Sequence, residues 1–130
     1  MYRWVEHTGE LELEITAPTE KAVFEDGFKA MTEVLVCDST APLERREVTL
    51  TAADRPALLA DWLAELAFLA ESDGLAPVNL ESLELEGTTL RVSFEGRICE
   101  PAQLVKGVTY HRLTLGPVDG GFRATVVLDV

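Results

Sequence analysis

Histidine, cysteine and basic charge are all scarce in this 130-residue chain, and each scarcity narrows what it can do. There is no H-x-x-x-H zinc helix, no C-x-x-C pair, no G-x-S-x-G elbow and no glycine-rich phosphate loop. Cys37 and Cys99 have no histidine beside them in sequence, so nothing supports a thiol nucleophile. Only 11 residues are basic against 23 acidic, a formal net charge of −12 with no basic run, which argues against direct tight binding to RNA or DNA. No apolar stretch is long enough to cross a bilayer, and the opening Met1-Tyr2-Arg3-Trp4 lacks the apolar core of a signal peptide. A cytoplasmic protein without a membrane segment is expected. Its cysteines are expected to be reduced and partly buried, although their separation leaves a structural disulfide open.

What is present describes a globular domain. Hydrophobic residues make up 47% of the chain and charged residues 26%, and a chain of this length can bury about two-thirds of its unfolded surface. A single domain over residues 1–130 is expected, with no internal repeat, low-complexity segment or linker. Leu11, Leu13 and Ile15 alternate with Glu10, Glu12 and Glu14, the period of a half-buried strand with three carboxylates on its other face. Thr19 is placed to cap a first helix whose buried stripe is Phe24, Phe28, Met31 and Leu35. A loop over 38–44 leads to a strand near 45–52. Asp54 then caps a second helix lined by Leu59, Trp62, Leu63, Leu66 and Leu69 or Ala70, ending before Gly74. Asp61 and Glu65 read as its solvated face. Beyond residue 78 the alternation predicts a hairpin turning at Gly87-Thr88 and a last strand pair joined across 116–121. The expected order is βαβα followed by about four strands. This is an α+β fold with an antiparallel or mixed sheet covered on one face by two helices.

The candidate chemistry lies at the two ends. Glu10 follows His7-Thr8-Gly9, and Asp129 precedes Val130 after an apolar run. If these terminal segments pair, their carboxylates converge with that of Val130. Hard oxygen donors at one point suit Ca²⁺, Mg²⁺ or Mn²⁺. The acidic surplus would also draw the protein to a basic surface, including the groove of a nucleic-acid enzyme, or to cations. Solubility explains the same charge, and a solvated Glu10-Glu12-Glu14 face explains the same strand.

Four stretches carry a resemblance to a known family. Tyr-Arg-Trp-Val-Glu-His-Thr-Gly-Glu at 2–10 resembles the opening of the archeases, which have a similar His-Thr followed by an acid. Lys106-Gly-Val-Thr-Tyr-His111 resembles their Lys-Ala-Val-Thr-Tyr-His, and Val126-Val-Leu-Asp-Val130 their Val-Ile-Leu-Asp-Ile. The helix segment Leu59-Ala-Asp-Trp-Leu-Ala-Glu-Leu66 is similar to the family's second helix. The four keep the family's order and span nearly the whole chain.

The resemblance implies a small acidic protein cofactor, not an enzyme, serving the RtcB-type RNA ligase of tRNA splicing and RNA repair. Archeases speed that ligase's guanylylation and let it turn over repeatedly. The resemblance also implies a divalent cation, calcium in the family, held by Glu10, Asp129 and Val130. It makes Lys106 a residue of the partner surface, beside the plainer reading of a strand-start cation. His7 and His111 are expected to support the site rather than transfer protons. One departure is that Glu10 stands where the family usually has Asp, which lengthens the donor by one methylene. Flexible Ca²⁺ coordination tolerates that better than Mg²⁺ does. The sequence leaves two rival functions open: a metal-dependent hydrolase using Glu10 and Asp129, and a chaperone-like modulator of nucleic-acid-modifying enzymes.

Overall fold

The computed structural model describes residues 1–38 and 40–130. The alternating segment forms β2 (Glu10–Ala17), with Leu13 and Ile15 fully buried and the glutamates on the opposite face. It is preceded by β1 (Tyr2–His7), a strand absent from the sequence reading, which turns inward Tyr2 and Trp4 against the core. The two join through Thr8-Gly9, where Gly9 adopts φ +73, a backbone that a Cβ disfavours. Thr19 accepts the Ala22 N–H at 3.0 Å and starts α1 (Glu20–Val34). After β3 (Leu43–Thr51), Asp54 accepts the Ala57 N–H at 2.8 Å and starts α2 (Arg55–Ser72), with Pro56 in its first turn. Gly74, at φ +62, breaks the chain into β4 (Leu75–Glu86). Then follow β5 (Thr89–Ile98), β6 (Gly107–Val118) and β7 (Gly121–Asp129). Within the expected loop 38–44, Ser39 lies outside the described residues.

The α+β class, the two helices and the run of late strands are those expected, but the strands form two sheets instead of one. One has the order β1-β2-β7-β6 and the other β3-β5-β4. Alternation specifies which face of a strand is buried, not which strand lies beside it. Each helix packs against strands of both sheets. This explains why α2 buries Leu58, Leu59, Trp62, Leu63, Leu66 and Ala70 around much of its circumference. Phe28 of α1, Trp62 of α2 and Phe94 of β5 meet with ring centroids 5.6–6.2 Å apart. The Trp62 indole N–H donates to the Phe24 carbonyl at 3.2 Å, so the largest buried ring leaves no polar atom unpaired.

At the far end of the four-stranded sheet, Gly121 lies where β7 crosses the exit of β2. A Cβ there would stand 3.0 Å from Pro18 Cα and closer still to the Ala17 carbonyl, so the backbones can approach only around glycine.

The cysteines correct an expectation. Cys37 and Cys99 are joined as a disulfide, with Cα atoms 6.1 Å apart, rather than being two reduced thiols. Their separation of 62 residues carried no spacing signal, and proximity arises only because α1 and β5 end on the same side of the core. A covalent loop of that length is worth about 4 kcal/mol in chain entropy, and measured effects usually fall at about 2–4. Guanidinium unfolding with and without reductant should therefore differ by that amount; coincident transitions would show that the bond contributes nothing.

Candidate metal centre

Strand pairing gathers the chain ends. Glu10 lies directly opposite Asp129 across β2 and β7, His7 lies opposite Glu10, and Gly107 lies opposite Asp129. Directly opposed residues share a face, so His7, Glu10 and Asp129 form one row across the outer surface of the sheet. Two backbone bonds close this end: the Val130 N–H donates to Gly9 O at 3.2 Å, and the Lys106 N–H donates to Asp129 O at 2.8 Å. Glu10, Asp129, Val130 and the backbone of Lys106 are thus brought together. The Lys106 and His7 side chains are exposed around them. His111 lies further along β6, exposed, with its backbone N–H bonded to Thr109 Oγ1 at 3.0 Å.

The donor set suits a hard cation. Opposed Cβ atoms on antiparallel strands are about 4.5–5.5 Å apart, which lets two carboxylates reach one Ca²⁺ at about 2.3–2.6 Å. With its carbonyl occupied by Lys106, Asp129 offers its side chain. Among the described residues no group of three or more His, Cys, Asp or Glu side chains is placed to hold a metal. Any third donor from the chain would therefore be a backbone or terminal oxygen such as that of Val130.

The glutamate face is not simply solvated. The side chains of Glu12 and Glu14 are only 14% and 15% exposed, against 34% for Glu10. Three arginines cover them. Arg3 and Arg123 both pair with Glu14, and Arg112 pairs with Glu10 at 3.5 Å and Glu12 at 3.4 Å. Arg112 lies in a bulge, since β6 runs from Thr109 opposite Val127 to Thr114 opposite Thr125. With β7 between β6 and β2, its side chain must span about two strand spacings, about 10 Å, to reach the glutamates. It passes over β7, where Val127 is fully buried although it shares the outer face with Glu12. Three carboxylates in a row on one strand were the only sequence signal that cations would have to cover them.

The bulge is also tethered from α2. Tyr110 is 59% exposed, and its hydroxyl donates to Asp61 at 2.7 Å, so Asp61 is an anchor and not merely part of a solvated face.

A small acidic α+β protein in which strands from the two ends of the chain, β2 and β7, lie side by side with Glu10 and Asp129 opposed across them is the class these features define. Residues 2–130 match the Archease protein family (MTH1598/TM1083), and the chain belongs to that family. It is 32% identical over 139 residues to the archease of Methanosarcina mazei, covering 99% of this chain and 95% of that protein. The solution structure of protein 1598 from Methanobacterium thermoautotrophicum aligns with a TM-score of 0.73 and 26% identity, covering 99% of this chain and 98% of that one. A crystal structure of a Thermotoga maritima archease, described as a possible chaperone, has the same fold, with a TM-score of 0.72 at 22% identity, covering 100% of this chain and 98% of that one.

The chain's two tyrosines report on this architecture. The hydrogen bond to Asp61, and then burial, raise the Tyr110 phenol above its ordinary value. Burial, followed by the bond to Glu33, pushes Tyr2 up to about 12. Folding favours both neutral phenols, so the stability they contribute is present below about pH 10 and lost as pH rises through their folded values. Phenolate absorbance should show both tyrosines still mainly protonated at pH 10, with Tyr110→Phe leaving one titration near 12. A full two-tyrosine transition centred at pH 10 would contradict both contacts.

Proposed function

We propose that this protein is a cytoplasmic cofactor of an RtcB-type RNA ligase, stimulating its guanylylation and its multiple turnover in tRNA splicing and RNA repair. The observation that carries the reading is the register that sets Glu10 opposite Asp129, with Val130 beside them, in a member of the archease family. The chain's net charge of −12 supports docking to the basic groove of a nucleic-acid enzyme over contact with RNA itself. Among the described residues no helix is long and apolar enough to cross a membrane.

In this reading Glu10, Asp129 and Val130 hold a divalent cation, with Ca²⁺ best suited to the longer glutamate donor. When bound, the cation supplies a concentrated positive charge at an otherwise anionic edge. The chain's own residues do the remaining work. The β2–β7 ladder fixes the separation of the two carboxylates, Lys106 N–H holds the backbone at Asp129, and the Lys106 side chain offers a cation to the partner.

The protein, mixed with its host's ligase, should accelerate guanylylation and restore multiple turnover. Glu10→Ala and Asp129→Ala should each lose most of that stimulation while retaining the wild-type unfolding free energy to within about 1 kcal/mol, because Asp129 is exposed and Glu10 gives up one partly exposed ion pair. Salt near 0.5 M, where the Debye length falls to about 4 Å, should abolish stimulation without unfolding the protein. Normal stimulation by both variants would remove the site from the function. Phosphatase or nuclease turnover by the isolated protein would point to a hydrolase, and equal stimulation of unrelated nucleic-acid-modifying enzymes to a general chaperone-like modulator.

A further inference from the structure

We propose that Arg112 is an internal counter-cation that a divalent cation displaces from Glu10, coupling cation binding to the conformation of the β6 bulge. The inference rests on the reading that Glu10 and Asp129 hold such a cation.

Arg112 reaches the acids with two different nitrogens. Nη2 lies 3.5 Å from Glu10 Oε1, and Nη1 lies 3.4 Å from Glu12 Oε1. The guanidinium therefore bridges a glutamate of the cation site and one outside it. A divalent cation that takes Glu10 Oε1 displaces Nη2 from it, because two positive charges on one carboxylate oxygen repel strongly. Glu12 has no place in the cation site and keeps its hold on Nη1. The arginine is thus partly released, not expelled.

The release is transmitted because of how Arg112 is held. It adopts φ +60, the sole residue other than glycine in the left-handed region among the described residues. For an arginine that backbone is unfavourable, and its surroundings must hold it there. Two contacts from the bulge do so: the guanidinium on Glu10 and Glu12 at one end, and the Tyr110 hydroxyl on Asp61 at the other. Loss of the Glu10 contact loosens the first. The bulge carries exposed Tyr110 and His111, so a partner touching this surface would meet a different bulge with and without the cation.

Asparagine tolerates the left-handed backbone and carries no charge, so Arg112→Asn removes the competitor without adding strain. Arg112→Lys keeps the charge and loses the fork. One unit charge about 6 Å from a divalent cation is worth about ten-fold in affinity even at the dielectric of water. Calorimetric titration with CaCl₂ should give a dissociation constant about ten-fold lower for Arg112→Asn than for wild type, with Arg112→Lys within about two-fold of wild type. Amide exchange of residues 110–113 should quicken on adding Ca²⁺ to the wild-type protein. If wild type binds Ca²⁺ and Arg112→Asn binds no more tightly, the inference is overturned while the cation site stands. If neither wild type nor the variants bind Ca²⁺, the site itself fails and the inference with it.

Discussion

Everything at the candidate site depends on one strand pairing, that of β2 with β7. The ladder runs from Glu10 opposite Asp129 to Ala17 opposite Phe122, and it joins segments from the two extremes of the sequence. Its register is heavily constrained. A slip of one residue would carry Glu10, Glu12 and Glu14 into the core and push Leu13 and Ile15 into water. Burying three carboxylates in that way is far costlier than any contact the slipped ladder could regain. The requirement that leucine and isoleucine face inward therefore places the acids outward, opposite Asp129. Gly121 enforces the same alignment at the other end, where only a bare backbone passes the Ala17 carbonyl.

This arrangement changes the meaning of the chain's acidity. Three of its 11 basic residues, Arg3, Arg112 and Arg123, are spent on the glutamates of a single strand. The outer face of the four-stranded sheet is consequently close to internally neutral away from Asp129, which has no ion-pair partner among the described residues. The unbalanced negative charge that would steer a basic partner resides elsewhere on the surface and at this one edge. Isolated exposed ion pairs contribute little to stability. Here they matter because they determine which carboxylate remains free.

The legible parts of the fold were those governed by local rules. Thr19 and Asp54 cap their helices as their side-chain chemistry dictates, the stripes of both helices are buried, and the hairpin turns at Gly87 with φ +57. The resemblance and the acids at both ends of the chain point to Glu10 and Asp129, and the register sets them face to face. Features that need a partner distant in sequence were not legible. β1 is short, and Val5 interrupts its alternation on the outer face. The division into two sheets depends on neighbours that periodicity does not encode. Arg112 belongs to a bulge that becomes visible only against the register of β7, and Tyr110 meets Asp61 across elements that sequence spacing keeps apart.

The disulfide has a consequence for the organisation of the molecule as a whole. The ring closed by Cys37 and Cys99 contains β3, α2, β4 and β5, and so all of the three-stranded sheet, while β1, β2, β6 and β7 lie outside it. Because its two exits are 6.1 Å apart, the chain enters and leaves that ring at nearly one point. The molecule is in effect a host sheet built from the chain's two ends, with a covalently closed guest set into it. Loops of the guest that touch neither α2 nor the β6 bulge can diverge without disturbing the register of the host, whereas the Asp61–Tyr110 contact ties the guest to the bulge beside the carboxylates.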